Sequence, residues 1–203
     1  VLRHASVDSI TLVELDPQMT TLFAEGRVAQ LNDHALRHPR LRIVNDDAFR
    51  WVRTTTDRPY DAIIIDFPDP TSFSIAKLYS LHFYRSLHPL LAPQGVFVVQ
   101  STSPYFAPRA FWCVARTIAA AGFCTLPYHA YVPSFGEWGY VLAARQPPRP
   151  GPMPPNLRYL NDATFASMTQ FAPDMAARPV EVNRLSTQVL VQYFEDEWNH
   201  YVD

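Results

Sequence analysis

The run IIIDFPDP, residues 63–70, carries three branched aliphatic residues straight into two aspartates, Asp66 and Asp69, separated by Phe67 and Pro68 and followed by Pro70. Two carboxylates on one proline-stiffened loop repel each other, and a cation relieves the repulsion. A diamine carries two positive charges and would gain both binding energy and position from such a pair. Its nitrogen is nucleophilic only when neutral. With an amine pKa near ~10, that form lies about 3 units away at pH 7 and costs about 4 kcal/mol. A carboxylate in contact stabilises the ammonium and deepens this cost, so an acid assists attack only by taking the proton as the nitrogen reacts. A polar turn at the end of a strand is the simpler reading of the same residues.

Other polar residues stand at the same kind of place. In an open parallel sheet the ligand lies at the carboxyl ends of the strands. Glu14 closes the strand in VELDP, where an acid can accept from two ribose hydroxyls, although it also suits a helix cap. Asp46 and Asp47 precede Ala48 in NDDAF. One of them could accept from an adenine amino group, or the pair could form a solvated turn that caps the next helix. Gln100 ends a further strand, GVFVVQST.

The elements that must position these residues follow from apolar periodicity and from Gly/Pro punctuation. SITLVEL, 9–15, reads as a strand, and Asp16 with Pro17 reads as a helix cap and first turn. Met19, Leu22, Phe23 and Gly26 share a face of that helix. LRIVN, 41–45, is a strand and AFRWVRT, 48–54, a short helix. YDAIIIDF, 60–67, is a strand whose unbroken apolar run predicts burial on both faces. Tyr79, Phe83, Leu87, Leu90 and Leu91 form a helical stripe that stops at Pro93–Gly95, before a strand over 95–102. Phe111, Val114, Ala115 and Ile118 mark another helix, ended by Gly122. An antiparallel pair follows near 124–132 and 138–144. The alternation predicts an α/β fold, an open doubly wound sheet with helices on both faces.

Six prolines between Gln146 and Pro155 exclude a helix interior or central strand there. The expected organisation is a core over 1–145, a linker over 146–155 and a helical extension over 156–203. In that extension ATFASMTQF and TQVLVQYFEDEW pack back on the core.

At 203 residues, 48% hydrophobic and 18% charged, the chain can bury one substantial core. A net charge of -2 without a Lys/Arg run argues against a nucleic-acid partner and for a small one. No window approaches the ~18 apolar residues of a membrane span, and VLRHASVDS has no signal-peptide core. The histidines are scattered and no metal motif occurs. Cys113 and Cys124 fit free buried thiols.

With these residues in hand, the chain resembles the spermidine synthases, aminopropyltransferases on the Rossmann-like fold shared with S-adenosylmethionine-dependent methyltransferases. VELDP (13–17), DDAF (46–49), DFPDP (66–70), KLYS (77–80), VVQS (98–101) and VPSFGEWGYVLA (132–143) occur in the family's order. DFPDP followed by KLYS, and PVEVN at 179–183, are similar to the branch attached to a multi-pass membrane region, so the chain is expected to be cytoplasmic, with such a region elsewhere in a longer polypeptide. The resemblance implies an aminopropyl group supplied by decarboxylated S-adenosylmethionine, a cosubstrate rather than a tightly bound cofactor. The acceptor is a polyamine such as putrescine, giving spermidine and methylthioadenosine. Glu14 then holds the ribose and Asp47 the adenine amino group, with Asp46 and Ala48 also in the cosubstrate site. Asp66 is the general base, Asp69 fixes an ammonium, Gln100 lines the cleft, and Phe135 stands where many members place a polyamine-contacting tyrosine.

The departures are specific. The six glycines form no Gly-rich loop ahead of VELDP, Asp46 replaces a usual glycine, and Phe135 has no hydroxyl. The expectation is a chain lacking the family's first strand and Gly-rich loop, with apolar sheet edges that favour a homo-oligomer. Two alternatives stay open at this point: an N-methyltransferase using S-adenosylmethionine itself, and a non-catalytic fragment serving as an assembly module.

Overall fold

The computed structural model describes residues 1–202, and the side chains of residues up to 198. The chain divides into two compact units, Val1–Thr56 and the remainder from Asp57.

In the first unit β1 (Ile10–Glu14) pairs in parallel with β2 (Leu41–Asn45), in a register that runs from Ile10 opposite Leu41 to Glu14 opposite Asn45. The crossover contains α1 (Pro17–Ala24). It begins as its sequence dictates: Pro17 opens the first turn, and the Asp16 carboxylate accepts from the Gln18 N–H at 2.8 Å. The apolar face expected of this helix is not buried, since Met19 and Leu22 are 45% and 52% exposed. The buried residue of α1 is Thr20, whose hydroxyl reaches the Pro17 carbonyl and the Asn45 side chain. α2 (Ala48–Thr54) follows β2.

The second unit is built on a four-stranded mixed sheet of order β3-β4-β6-β5. β3 (Tyr60–Ile65) and β4 (Leu91–Gln100) are parallel, whereas β6 (Gly136–Ala144) is antiparallel to both β4 and β5 (Cys124–Val132). β1 and β2 pair within the first unit and the other four strands within the second, and helices and strands alternate along the chain through most of its length, as expected of an α/β fold. β3 also departs from its reading as a strand buried on both faces. It lies at a sheet edge, Ile64 is 64% exposed, and only Ile65 is buried. The apolar run reports strand propensity, while burial depends on neighbours that the run itself does not specify. Pro127 sits comfortably in β5 because that strand is the opposite edge.

The stripe expected over 79–91 is broken into pieces. α3 (Phe73–Ala76) leads into a tight turn at Lys77–Tyr79, then α4 (Leu81–Ser86) starts under the Ser80 cap, and β4 begins as early as Leu91. Phe83, Tyr84, Phe97 and Phe123 stack through this part of the core at centroid spacings of 4.8–6.5 Å. α5 (Pro108–Ala120) covers one face of the sheet, with Phe111, Val114 and Ile118 buried.

Beyond the proline-rich segment, α6 (Asp162–Met168) and α7 (Val189–Val202) belong to the same unit. α7 packs on α5, and its Glu197 carboxylate accepts from the N–H groups of Arg109 and Ala110 at 2.9 and 3.1 Å. α5 has no side-chain cap of its own, so a distant acid supplies the charge that its N-terminus favours. Among the described residues no helix is long and apolar enough to cross a membrane.

Asn183 ties these helices together from a fully buried position. Its side-chain amide donates to Ala76 O at 3.0 Å and accepts from Leu190 N at 3.5 Å, and its carbonyl accepts from Leu81 N at 2.8 Å. Its own N–H donates to the Thr117 hydroxyl at 2.9 Å. Truncating the side chain strands buried polar groups on two elements. Asn183→Ala is expected to lower the unfolding free energy by about 2–4 kcal/mol, read from the midpoint of a urea titration.

Candidate active site

The carboxyl ends of β1 and β2 bring together the first group of acids. Glu14 stands opposite Asn45 and is half-buried, and its carbonyl accepts from Asp46 N at 3.1 Å. One Glu14 carboxylate oxygen accepts from Asp16 N at 2.9 Å, which fixes the turn into α1. Asp47 caps α2 by accepting from Phe49 N at 2.8 Å, with Ala48 as the first helical residue. Asp46 is held by Arg50, one helical turn on, through contacts of 2.8 and 2.6 Å. The structure therefore places Glu14, Asp46, Asp47 and Ala48 side by side, and gives three of their carboxylates local partners.

The second group stands at the ends of β3 and β4. Asp66, the first residue past β3, is exposed, whereas Asp69 is half-buried. The loop between them is anchored from beneath. Phe67 packs edge-on against Tyr79 and Phe83 at 6.1 and 5.6 Å. The Tyr79 hydroxyl, on a residue with no exposed surface, lies 3.1 Å from Phe67 O, 3.0 Å from Pro68 O and 3.2 Å from the Gln100 amide oxygen. Gln100 in turn donates to Asp69 Oδ1 at 3.2 Å.

Burial pushes the Asp69 carboxyl above its ordinary pKa, and the hydrogen bond from Gln100, with a weaker pull from the nearby Thr102 hydroxyl, works partly against that rise. Burial also raises Tyr79 well above the usual tyrosine value, helped by the negative charges of Asp69 and Asp66. Tyr79 is thus a donor that keeps its proton. Tyr140, opposite Gln100 on β6, is raised by partial burial and by the charge of Asp66. Phe135, in the turn between β5 and β6, is 58% exposed and packs 5.1 Å from Trp138.

The segment after Gln100 sets where this amide sits. Ser101 N donates to Gly139 O at 2.9 Å and Gly139 N donates to Thr102 O at 2.7 Å. Thr102 occupies the left-handed region at φ 59°, an outlier for a β-branched residue. A Cβ on Gly139 would stand 2.5 Å from the Phe111 ring and 2.8 Å from Thr102 O, so only glycine permits the approach.

Three contributors escape a reading of the sequence alone. Tyr79 reads there as part of an apolar stripe, and its place in KLYS, shortly after the acidic loop, is the available signal. Tyr140 lies within the motif GYVLA. Nothing local marks Thr102, because its conformation is imposed by Gly139, which is distant in the chain. Among the described residues no three or more His, Cys, Asp and Glu side chains cluster to hold a metal ion.

Comparison with known proteins bears on what this arrangement is. Residues 1–149 match the spermine/spermidine synthase domain. Polyamine aminopropyltransferase 2 of Ralstonia nicotianae is 52% identical over 206 residues, covering 98% of this chain and 40% of that protein. The polyamine aminopropyltransferase of Leptospira interrogans is 45% identical over 205 residues, covering 100% of this chain and 41% of that one. The chain thus spans about two fifths of the length of these curated relatives. Among solved structures, spermidine synthase from Thermotoga maritima superposes with a TM-score of 0.63 at 21% identity, over 98% of this chain and 63% of that one. A spermidine synthase in complex with the transition state analogue AdoDATO gives 0.65 at 21% identity, over 98% and 64%. The structural likeness supports the Rossmann-like α/β fold, and the sequence matches settle kinship: this chain belongs to the spermine/spermidine synthase family.

Proposed function

We propose that the chain forms the catalytic part of an aminopropyltransferase that moves an aminopropyl group from decarboxylated S-adenosylmethionine to a polyamine such as putrescine. The observation that carries this reading is the acidic loop after β3, with Asp66 open to solvent and Asp69 held beside Gln100 at the end of the neighbouring strand. In this reading the amine nitrogen attacks the carbon beside the sulfonium. The carbon–sulfur bond breaks with its electron pair going to sulfur, and the nitrogen sheds one proton to Asp66. Asp69 holds an ammonium group in place with its charge, and Gln100 and Phe135 line the amine side.

Glu14 takes the ribose hydroxyls, and Asp46, Asp47 and Ala48 meet the adenine. Helix capping by Asp47 is compatible with that role, because a carboxylate carries two oxygens and each has two acceptor sites. Self-association belongs to the same proposal, since Leu15, Leu31 and Ile64 expose 69%, 82% and 64% of their surface.

Asp66→Asn is expected to lower the transfer rate by about 100-fold or more while leaving the melting temperature unchanged, the scale set by loss of a general base. An undiminished rate removes Asp66 from the chemistry. Calorimetric titration with methylthioadenosine should give micromolar binding that Asp47→Ala abolishes, and absence of binding in the parent chain counts against a nucleoside pocket in it. Diamine binding should also weaken on acidification. Because burial raises the Asp69 pKa, the ionised acid is lost as the pH falls through a value above the ordinary ~3.9 of an aspartate. Binding measured across pH 4–7 checks the sign, and an acid limb at or below the ordinary value contradicts it.

A further inference from the structure

The Tyr79 hydroxyl has one proton and three acceptors within 3.2 Å: the carbonyls of Phe67 and Pro68 and the amide oxygen of Gln100. The Gln100 amide bridges this hydroxyl and Asp69, so its two orientations belong to two different networks. In one, Tyr79 donates to the amide oxygen and the NH2 group donates to Asp69, which must then offer a lone pair. In the other, Tyr79 gives its proton to a loop carbonyl and accepts from the NH2 group. The amide oxygen then faces Asp69, and two acceptors meet unless Asp69 is protonated. The structure adopts the first arrangement.

We propose that Tyr79 is a positioning residue that acts through Gln100: by donating to the amide oxygen it turns the NH2 group onto Asp69, so that Asp69 meets its ligand as a charged acceptor for an ammonium group. The link to an ammonium ligand rests on the reading of Asp69 given above, whereas the relay itself is a property of the free chain. Tyr79 is suited to the task because it is fully buried and, beside two acids, keeps its proton. The same hydroxyl touches both carbonyls of the loop that separates Asp66 from Asp69, so it joins the position of the two acids to the orientation of one amide.

Other groups act on Asp69 as well. Asp66 lies on its own loop, and the Tyr79 hydroxyl approaches from the turn at Lys77–Tyr79. Gln100 and Thr102 face it from the end of β4 and just beyond. The Thr102 hydroxyl is buried and makes no full hydrogen bond to any described protein atom, so it adds a weaker pull that persists when Tyr79 is changed.

The test is the titration of Asp69 in the ligand-free chain, followed by the carboxyl carbon shift in protein labelled with 13C-aspartate and assigned with Asp69→Asn. Tyr79→Phe is expected to move the Asp69 midpoint up by about 1 unit, and Gln100→Leu by at least as much. Since Tyr79 works through Gln100, the double variant should move it no further than Gln100→Leu alone. Additive shifts, or an unchanged midpoint in either single variant, overturn the relay. If Tyr79→Phe does not fold, an unchanged midpoint in Gln100→Leu is sufficient by itself to overturn it. Calorimetry with putrescine on the same proteins separates the two claims. Absence of binding in the parent chain defeats the amine reading and leaves the titration result standing. Binding in the parent chain whose acid limb does not follow the Asp69 midpoint in the variants overturns the proposed link between relay and ligand.

Discussion

The close approach of Gly139 to the end of β4 is the constraint on which the placement of Gln100 beside Asp69 depends. Its two backbone hydrogen bonds, to Ser101 and Thr102, hold β6 against the last residues of β4, and the Phe111 ring fills the space where any side chain would stand. Thr102 accepts a left-handed backbone as a result, a strain of the kind that concentrates at functional sites. This contact fixes the backbone just past Gln100, whose amide is held by Tyr79 and Asp69. The polar run Ser101, Thr102 and Ser103 is almost wholly buried, and the Ser103 hydroxyl donates to Glu137 O at 2.6 Å, so β6 holds the segment at a further point.

Rigidity on the other side of the site has a different origin. The loop from Asp66 to Pro70 cannot relax freely, because two prolines fix two of its φ angles and Phe67 is wedged against Phe83 and Tyr79. A flexible loop would let the two acids swing apart. Here the loop is held, and burial of Asp69 raises its carboxyl pKa. The compensating donors come from the neighbouring strand rather than from the loop.

The C-terminal segment is part of the same unit and not a loose appendage. Glu197 supplies the missing cap of α5, and the Trp112 indole donates to Met175 O at 2.9 Å. Asn183 links Ala76, Leu81, Thr117 and Leu190, so the turn carrying Tyr79 is braced by a residue far from it in the chain. Positioning of the acidic loop therefore draws on helix packing well outside it.

Local chemistry determines what is legible in the sequence. LRIVN and AFRWVRT are strand and helix at the residues expected, Asp16 and Pro17 open α1, and β5 and β6 pair antiparallel, because caps, prolines and short-range periodicity act within a few residues. The acids at strand ends are visible for the same reason: a strand's polarity and its terminus can be read from one segment. Tertiary structure alone decided which strands share a sheet, why Ile64 is exposed, and that Met19 and Leu22 do not face a core within their own unit. It also decided that Tyr79 is a hydrogen-bond donor beneath the loop rather than one more apolar residue of a helix, and that Gly139 sets the conformation of Thr102. These outcomes depend on atoms distant in the chain meeting within about 3 Å, where hydrogen bonds and steric exclusion act, and no pattern confined to one segment encodes that meeting.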